Sequence, residues 1–372
     1  MTKRIDSKKL TRRTTLKGIA GSISAAGLTS LFPMPAIAQA RKIKYTLSWL
    51  PVGQYAFIYM ARQLGYWKKR GLDVEISRGY GSLGAIQGIS TGQFDIGGAA
   101  ASANLLSILK GLEIWMLSTQ GYDSTMGVLV PANGPIKTPK DLEGKKIGVT
   151  AAGGDTPFLP AYYKIAGVDP AKVTTVSLDS QIIEQAVISG TVDCMVAFGM
   201  SSIPNFIVQK FPVRLMSFGD VGLAFYWVNT IARSEMVSKE PQLVRDINEG
   251  LFEGMKFSML NPEETIERHL KEHPEIGATP SGHLFTELGV GMVIVSATAQ
   301  ESQQHSLGYS DLGKVGKMMD LVKTYTAPDA KGPQPVENYC SNKFIGNVTL
   351  TAAEWEKVKG NSAKYAKLLG RA

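Results

Sequence analysis

Twice along its length this chain alternates short apolar runs with amphipathic helical patterns, and that rhythm predicts a mainly parallel sheet with helices on its faces. The first pass begins with a strand over residues 43–49. A helix follows, with Phe57, Met60, Ala61, Leu64 and Trp67 on one face. Lys68, Lys69 and Arg70 suit the negative end of that helix, and Gly71 suits a left-handed cap. Strict alternation over Leu72, Asp73, Val74, Glu75 and Ile76 predicts a strand. Helices over 83–91 and 102–110 then enclose a short strand at 94–96, and a strand at 114–118 ends the pass. The second pass has strands at 145–149, 173–178 and 192–197, separated by helices at 157–165 and 182–189. The two passes share a local pattern. Residues 87–95 and 185–193 each read as helix end, Gly cap (Gly92, Gly190) and short strand with Asp (Asp95, Asp193). Two similar lobes are expected.

Extended apolar runs at 127–131 and 225–230 are placed to cross between the lobes. The expected boundaries are 41–128 plus 231–372 for the first lobe and 129–230 for the second. The C-terminal third goes to the first lobe, because Val244, Ile247, Leu251, Met255, Met259 and Leu260 form a stripe at helical spacing that must pack on a neighbour.

Residues 1–40 read as an export signal. Thr11-Arg12-Arg13-Thr14-Thr15-Leu16-Lys17 is a twin-arginine motif. Residues 18–32 form a modest apolar stretch, and small residues lead to Ala38-Gln39-Ala40. The stretch is too short and too weakly apolar to span a bilayer. The expected compartment is the periplasm, and no cysteine near the cleavage site suggests a lipid anchor. The signal also explains the formal net charge of +8. It carries Lys3, Arg4, Lys8, Lys9, Arg12, Arg13 and Lys17 against Asp6 alone. The remainder is nearly balanced, so charge makes no case for a nucleic-acid partner. In an oxidising compartment Cys194 and Cys340 can pair, but the sequence leaves this open.

Several motifs tempt. Gly79-Tyr80-Gly81-Ser82-Leu83-Gly84 fits G-x-G-x-x-G, but it follows the second strand and lacks the acidic residue a dinucleotide site needs. His269-Leu270-Lys271-Glu272-His273 fits H-x-x-E-H, but its charged neighbours and Pro274 read as a solvated helix end, and no third metal ligand is evident. The Ser-rich segment Gly199-Met200-Ser201-Ser202 reads as a loop without a paired His. No metal and no cofactor is expected. More weight falls on Gly153, Gly154, Asp155 and Thr156, a strand-to-helix loop whose glycines let backbone approach a ligand and whose helix end offers N–H donors. Ser82 holds the equivalent place in the first lobe. Trp49, Tyr55, Tyr80, Tyr122, Phe198, Tyr226 and Trp227 gather at strand ends and crossings, where they fit a stacking box for a flat ligand. Gln54 joins Tyr55 among the candidates.

Leu64-Gly65-Tyr66-Trp67, running on to Gly71-Leu72-Asp73-Val74, resembles a block of ABC-importer solute-binding proteins. So do Gly92-Gln93-Phe94-Asp95, Gly190-Thr191-Val192-Asp193 and, most specifically, Asp141-Leu142-Glu143-Gly144-Lys145-Lys146-Ile147-Gly148. The branch concerned serves nitrate, taurine, aliphatic sulfonates and thiamine-pyrimidine precursors. The resemblance implies a type II periplasmic-binding fold: two doubly wound α/β lobes, joined by two crossing strands, closing on a ligand. By position it implies an aromatic contact from Trp49, polar-group loops at Ser82 and at Gly153–Thr156, and backbone donors at Ala101 and Ser102. Some relatives are pyrimidine synthases that consume an active-site His and carry a Cys-rich run, and this chain has no His before His269 and no such run. The expected function is capture of a small organic solute, a sulfonate, aromatic carboxylate or pyrimidine-like compound, for an inner-membrane ABC permease. A monomer is expected. The alternative is an exported enzyme whose cofactor is loaded before twin-arginine export.

Overall fold

The computed structural model describes residues 40–331 and 335–366. The expected export signal, except for Ala40, lies outside the described residues. Ten strands occur among them. In chain order these are β1 (Arg41–Thr46), β2 (Leu72–Ser77), β3 (Ile96–Ala100), β4 (Ile114–Thr119), β5 (Met126–Pro131), β6 (Lys146–Val149), β7 (Thr174–Ser177), β8 (Cys194–Phe198), β9 (Val213–Ser217) and β10 (Val228–Arg233). They build two five-stranded sheets, ordered β2-β1-β3-β10-β4 and β7-β6-β8-β5-β9. Each is parallel except for one strand, β10 in the first and β5 in the second. In both sheets that reversed strand is the one arriving from the other lobe.

The internal repeat has a physical basis. Gly92 and Gly190 both take left-handed conformations, with φ of 79° and 74°. The Asp95 carboxylate accepts the Lys44 N–H at 2.8 Å, and the Asp193 carboxylate accepts the Lys146 N–H at 2.7 Å. Each Asp therefore clips its loop to the parallel neighbour of the strand that follows it, β1 beside β3 and β6 beside β8. This is why β3 begins at Ile96 and not at Phe94: the preceding residue is occupied as a clip.

The helices that matter for the site are α1 (Ala56–Gln63), α2 (Ser82–Ser90), α3 (Ala101–Leu109), α4 (Leu159–Ala166), α5 (Ile183–Ile188) and α6 (Gly199–Val208). The segment 199–202, expected as a loop, is the first turn of α6. Thr125 makes that turn possible, since its carbonyl accepts the Gly199 N–H at 2.8 Å and its hydroxyl accepts the Met200 N–H at 2.9 Å. Two main-chain donors at the helix start are thus satisfied from the neighbouring crossing.

The crossings lie a few residues from their expected places. Residues 127–131 sit inside β5, hydrogen-bonded on both sides within the second sheet, and residues 228–230 sit inside β10 in the first. The expected boundaries at 128 and 231 therefore cut through paired strands. Extended apolar character marked fully buried strands, which read alike whether they cross or not. The chain passes between sheets at residues 120–125 and 222–227, and these segments bond to each other. Gln120 N–H donates to Val228 O at 2.8 Å, Trp227 N–H to Gly121 O at 2.9 Å, and Ser124 N–H to Phe225 O at 3.0 Å.

The helix Pro241–Leu260 packs its predicted stripe on α1, and the Trp67 indole donates to Ile247 O at 2.8 Å. The C-terminal third is not confined to the first lobe. Leu288 and Val295 of the helix Gly282–Ala297 cluster with Ile207 and Val208 of α6, and the helix Leu312–Thr326 touches α4. His269 is also not solvated. It lies fully buried on the inner face of the helix Pro262–Glu272, edge-on to Tyr59 at 5.4 Å, and burial pushes its pKa down to about 3. Cys194 and Cys340 are separate buried thiols. No group of three or more metal-ligating side chains occurs among the described residues, and no helix there is long and apolar enough to cross a membrane.

Candidate functional site

Between the sheets lies a partly enclosed cavity of about 40 Å³. Its walls come from both lobes. The first contributes Ser48, Trp49, Tyr55, Gly81, Ser82, Ala100, Trp227 and Val228. The second contributes the Thr150–Asp155 loop, Ile183 and Glu184 of α5, the end of β8 from Met195 to Phe198, and Ser201 and Ser202 of α6. Of the residues expected from sequence, Trp49, Tyr55, Ser82, Gly153, Gly154, Asp155, Phe198 and Trp227 meet here.

The first-lobe wall is rigid. Tyr55 and Trp227 stack with centroids 5.9 Å apart and planes 26° from parallel. The Tyr55 hydroxyl shares a 2.7 Å hydrogen bond with Ser48, and burial pushes its pKa up to about 12. The Ser82 hydroxyl accepts the Ala100 N–H at 3.0 Å, which leaves its own proton free to donate.

Several of the expected anion-binding donors are engaged elsewhere. Leu83 N–H, in the first turn of α2, donates across the cleft to Ala152 O at 3.2 Å. Ala101 N–H donates to Trp227 O at 3.0 Å. In the second-lobe loop, Gly153 N–H and the Thr156 hydroxyl both donate to Thr150 O, while the Asp155 carboxylate accepts Thr156 N–H at 2.8 Å. A protein carboxylate thus occupies the helix start where a ligand anion was expected. Burial raises the Asp155 pKa against the lowering effect of these bonds.

Seven expected residues do not line the cavity. Ser102 and Gln54 tie the lobes together: the Ser102 hydroxyl donates to Gly154 O at 3.0 Å, and Gln54 Nε2 donates to Ser201 Oγ at 3.1 Å. Ala101 and Thr156 spend their polar groups as described above. Tyr122 lies behind the crossing, donating to Tyr309 O at 2.7 Å and packing edge-on to Tyr226. Tyr226 donates in turn to Glu301, which is paired with Lys314. These two aromatics buttress the crossing. Tyr80 is 65% exposed and carries the Arg78 guanidinium over its ring, so it leaves the stacking box altogether.

Glu184, Ser201 and Ser202 were not foreseen. Ser202 Oγ donates to a Glu184 carboxylate oxygen at 2.8 Å, and burial raises the Glu184 pKa. No Lys, Arg or His lines the cavity. Its volume is well below the ~300–1,000 Å³ of a typical organic-ligand site.

Gly81 makes the close approach possible. Its φ of 120° disfavours other residues, and an added Cβ would sit 2.3 Å from Ala152 O. Gly81 of the G-x-G-x-x-G run is thus explained by contact between two backbones.

Comparison with known proteins agrees with this architecture. Residues 53–265 match the family model described as NMT1/THI5 like. The chain is 25% identical over 314 residues to the riboflavin-binding protein RibY of Chloroflexus aurantiacus, covering 82% of this chain and 86% of that one. It is 21% identical over 319 residues to the 4-amino-5-hydroxymethyl-2-methylpyrimidine phosphate synthase of Schizosaccharomyces pombe, with the same coverage of 82% and 86%. Among solved structures, the alkanesulfonate-binding protein SsuA of Xanthomonas axonopodis pv. citri, bound to MOPS, superposes with a TM-score of 0.61 at 15% identity, over 82% of this chain and 99% of that one. The shared fold is that of periplasmic binding proteins.

Proposed function

This chain belongs to the NMT1/THI5-like family, and on that premise we propose that it is the solute-capturing component of an ABC importer, exported by the twin-arginine route to the periplasm. It grips one small organic molecule between its lobes and presents the closed form to an inner-membrane permease. The observation carrying this reading is the cavity itself. Rings on one wall face hydroxyls and two carboxyls on the other, and three interlobe hydrogen bonds lie beside them: Leu83 to Ala152, Ser102 to Gly154, and Gln54 to Ser201. Closure by bending at two linking segments is an established way for such a geometry to trap a solute.

The lining offers a positioned grip and no histidine or lysine base: its hydroxyls bond to one another, to main chain, to Gln54 or to Glu184. This favours capture over the pyrimidine synthesis named for the fission-yeast relative. The test is a melting-temperature screen of the chain from residue 41 onward with single-ring organic solutes, combined with chromatography of each solute afterwards. A binder at a hundredfold excess over its Kd adds about 2.7 kcal/mol to stability, with the solute recovered unchanged. Recovery of a converted product would overturn the proposal.

A further inference from the structure

We infer that the cleft selects an uncharged or cationic planar solute whose N–H donor meets the Glu184 carboxylate, and that it rejects sulfonates, carboxylates and nitrate. The inference rests on the capture reading and narrows it to a ligand class.

Four observations carry it. First, the two ionisable acids in the lining, Asp155 and Glu184, face no lining cation. Second, they differ in availability. Asp155 is turned into its own loop by Thr156 N–H at 2.8 Å, whereas Glu184 is held by a single side-chain donor, Ser202 Oγ at 2.8 Å. A carboxylate has room for about four hydrogen bonds, so Glu184 keeps acceptor capacity. Third, two main-chain donors at helix starts are engaged within the protein, Leu83 N–H on Ala152 O and Ala101 N–H on Trp227 O. An incoming sulfonate would meet two acids and no lining Lys, Arg or His, and leaving such charges unpaired in a desolvated site is costly. Fourth, the opposite wall is built of Trp49, Tyr55 and Trp227. Aromatic faces are electron-rich and attract cationic or electron-poor rings. Donor-bearing solutes therefore find complementary chemistry on both walls, whereas an anion finds the Ser82 hydroxyl and no cation.

The geometry gives Glu184 and Ser202 a joint role. Ser202 fixes one carboxylate oxygen from α6, while Glu184 itself stands on α5. The acid is therefore aimed by two elements of one lobe, and it reaches the ligand only as the lobes approach.

Matched single-ring probes separate the cases: benzamidine and 4-aminopyrimidine as donors, benzoate and benzenesulfonate as anions of the same size. Calorimetry on the chain from residue 41 onward is expected to show binding of at least one donor probe and neither anion. Glu184→Gln should weaken that binding about tenfold or more, since a hydrogen bond to a charged group is lost. Ser202→Ala should weaken it less, with both variants melting close to wild type. Binding of benzoate or benzenesulfonate, or an unchanged Kd in Glu184→Gln, overturns the inference and leaves capture standing. Silence of all four probes overturns both.

Discussion

The two walls of the cleft are built on different principles. The first-lobe wall consists of large rings held by packing and hydroxyl contacts: Tyr55 stacked on Trp227, Tyr55 bonded to Ser48, and Trp227 held by its main chain to Gly121 and Ala101. The second-lobe wall sets short polar groups at helix starts, namely Glu184, Ser201 and Ser202, among the apolar side chains of Ile183 and Met195 to Phe198, beside a glycine-rich loop. Shape is fixed on one side, and hydrogen-bonding character is set on the other. Alterations of the first wall should therefore cost stability and binding together, whereas alterations of the second should change selectivity with little cost to folding.

The strongest break of that contrast is Trp227→Ala. Trp227 is fully buried, and truncating a core aromatic costs about 3–5 kcal/mol. Urea denaturation should show that loss, along with loss of solute binding. Gly121→Ala comes next. An added Cβ would sit 2.6 Å from Ser296 Oγ and 2.8 Å from a Trp227 ring carbon. Overpacking of this kind costs about 1–3 kcal/mol, and tryptophan fluorescence should report the displaced indole. Tyr55→Phe removes the Ser48 partner and should cost about 1 kcal/mol in denaturation while keeping the stacked ring. Ser102→Ala is the mildest. It deletes one interlobe bond to Gly154 and should leave melting nearly unchanged, while small-angle scattering detects a shift toward separated lobes of about 0.5–1 kcal/mol. A large stability loss in Ser202→Ala, or none in Trp227→Ala, would erase the distinction between the walls.

The sequence made the architecture legible because its signals were local. Alternation in Leu72–Ile76, glycine caps at Gly71, Gly92 and Gly190, and the Asp95 and Asp193 clips all act within a few residues of where they are read. Much of the first wall was legible for the same reason, since rings at strand ends are candidates wherever parallel sheets bind ligands. Tyr80 and Tyr122 show the limit. A strand-end aromatic can face either way, and only tertiary packing sends one to solvent and the other behind the crossing. Glu184 was hidden more deeply. An acid in the first turn of a short helix looks like an ordinary solvated residue, and its role depends on α6 bringing Ser202 beside it. The segment 199–202 carried no helical signature because its cap is Thr125, far away in sequence. β9 was missed because Val213–Ser217 is short, includes Arg214 and has no alternation to mark it.

The paired linkers have one more implication. Residues 120–124 and 225–228 are stitched by three main-chain bonds into a narrow two-stranded ribbon. A ribbon flexes easily out of its plane and resists sliding within it. The molecule should therefore gape along a single arc, with twisting and shear suppressed. Trp227 closes that ribbon while its ring stays stacked on Tyr55, so bending of the linkers is expected to leave the indole with the first lobe. The ring then serves as a fixed floor against which the other body moves.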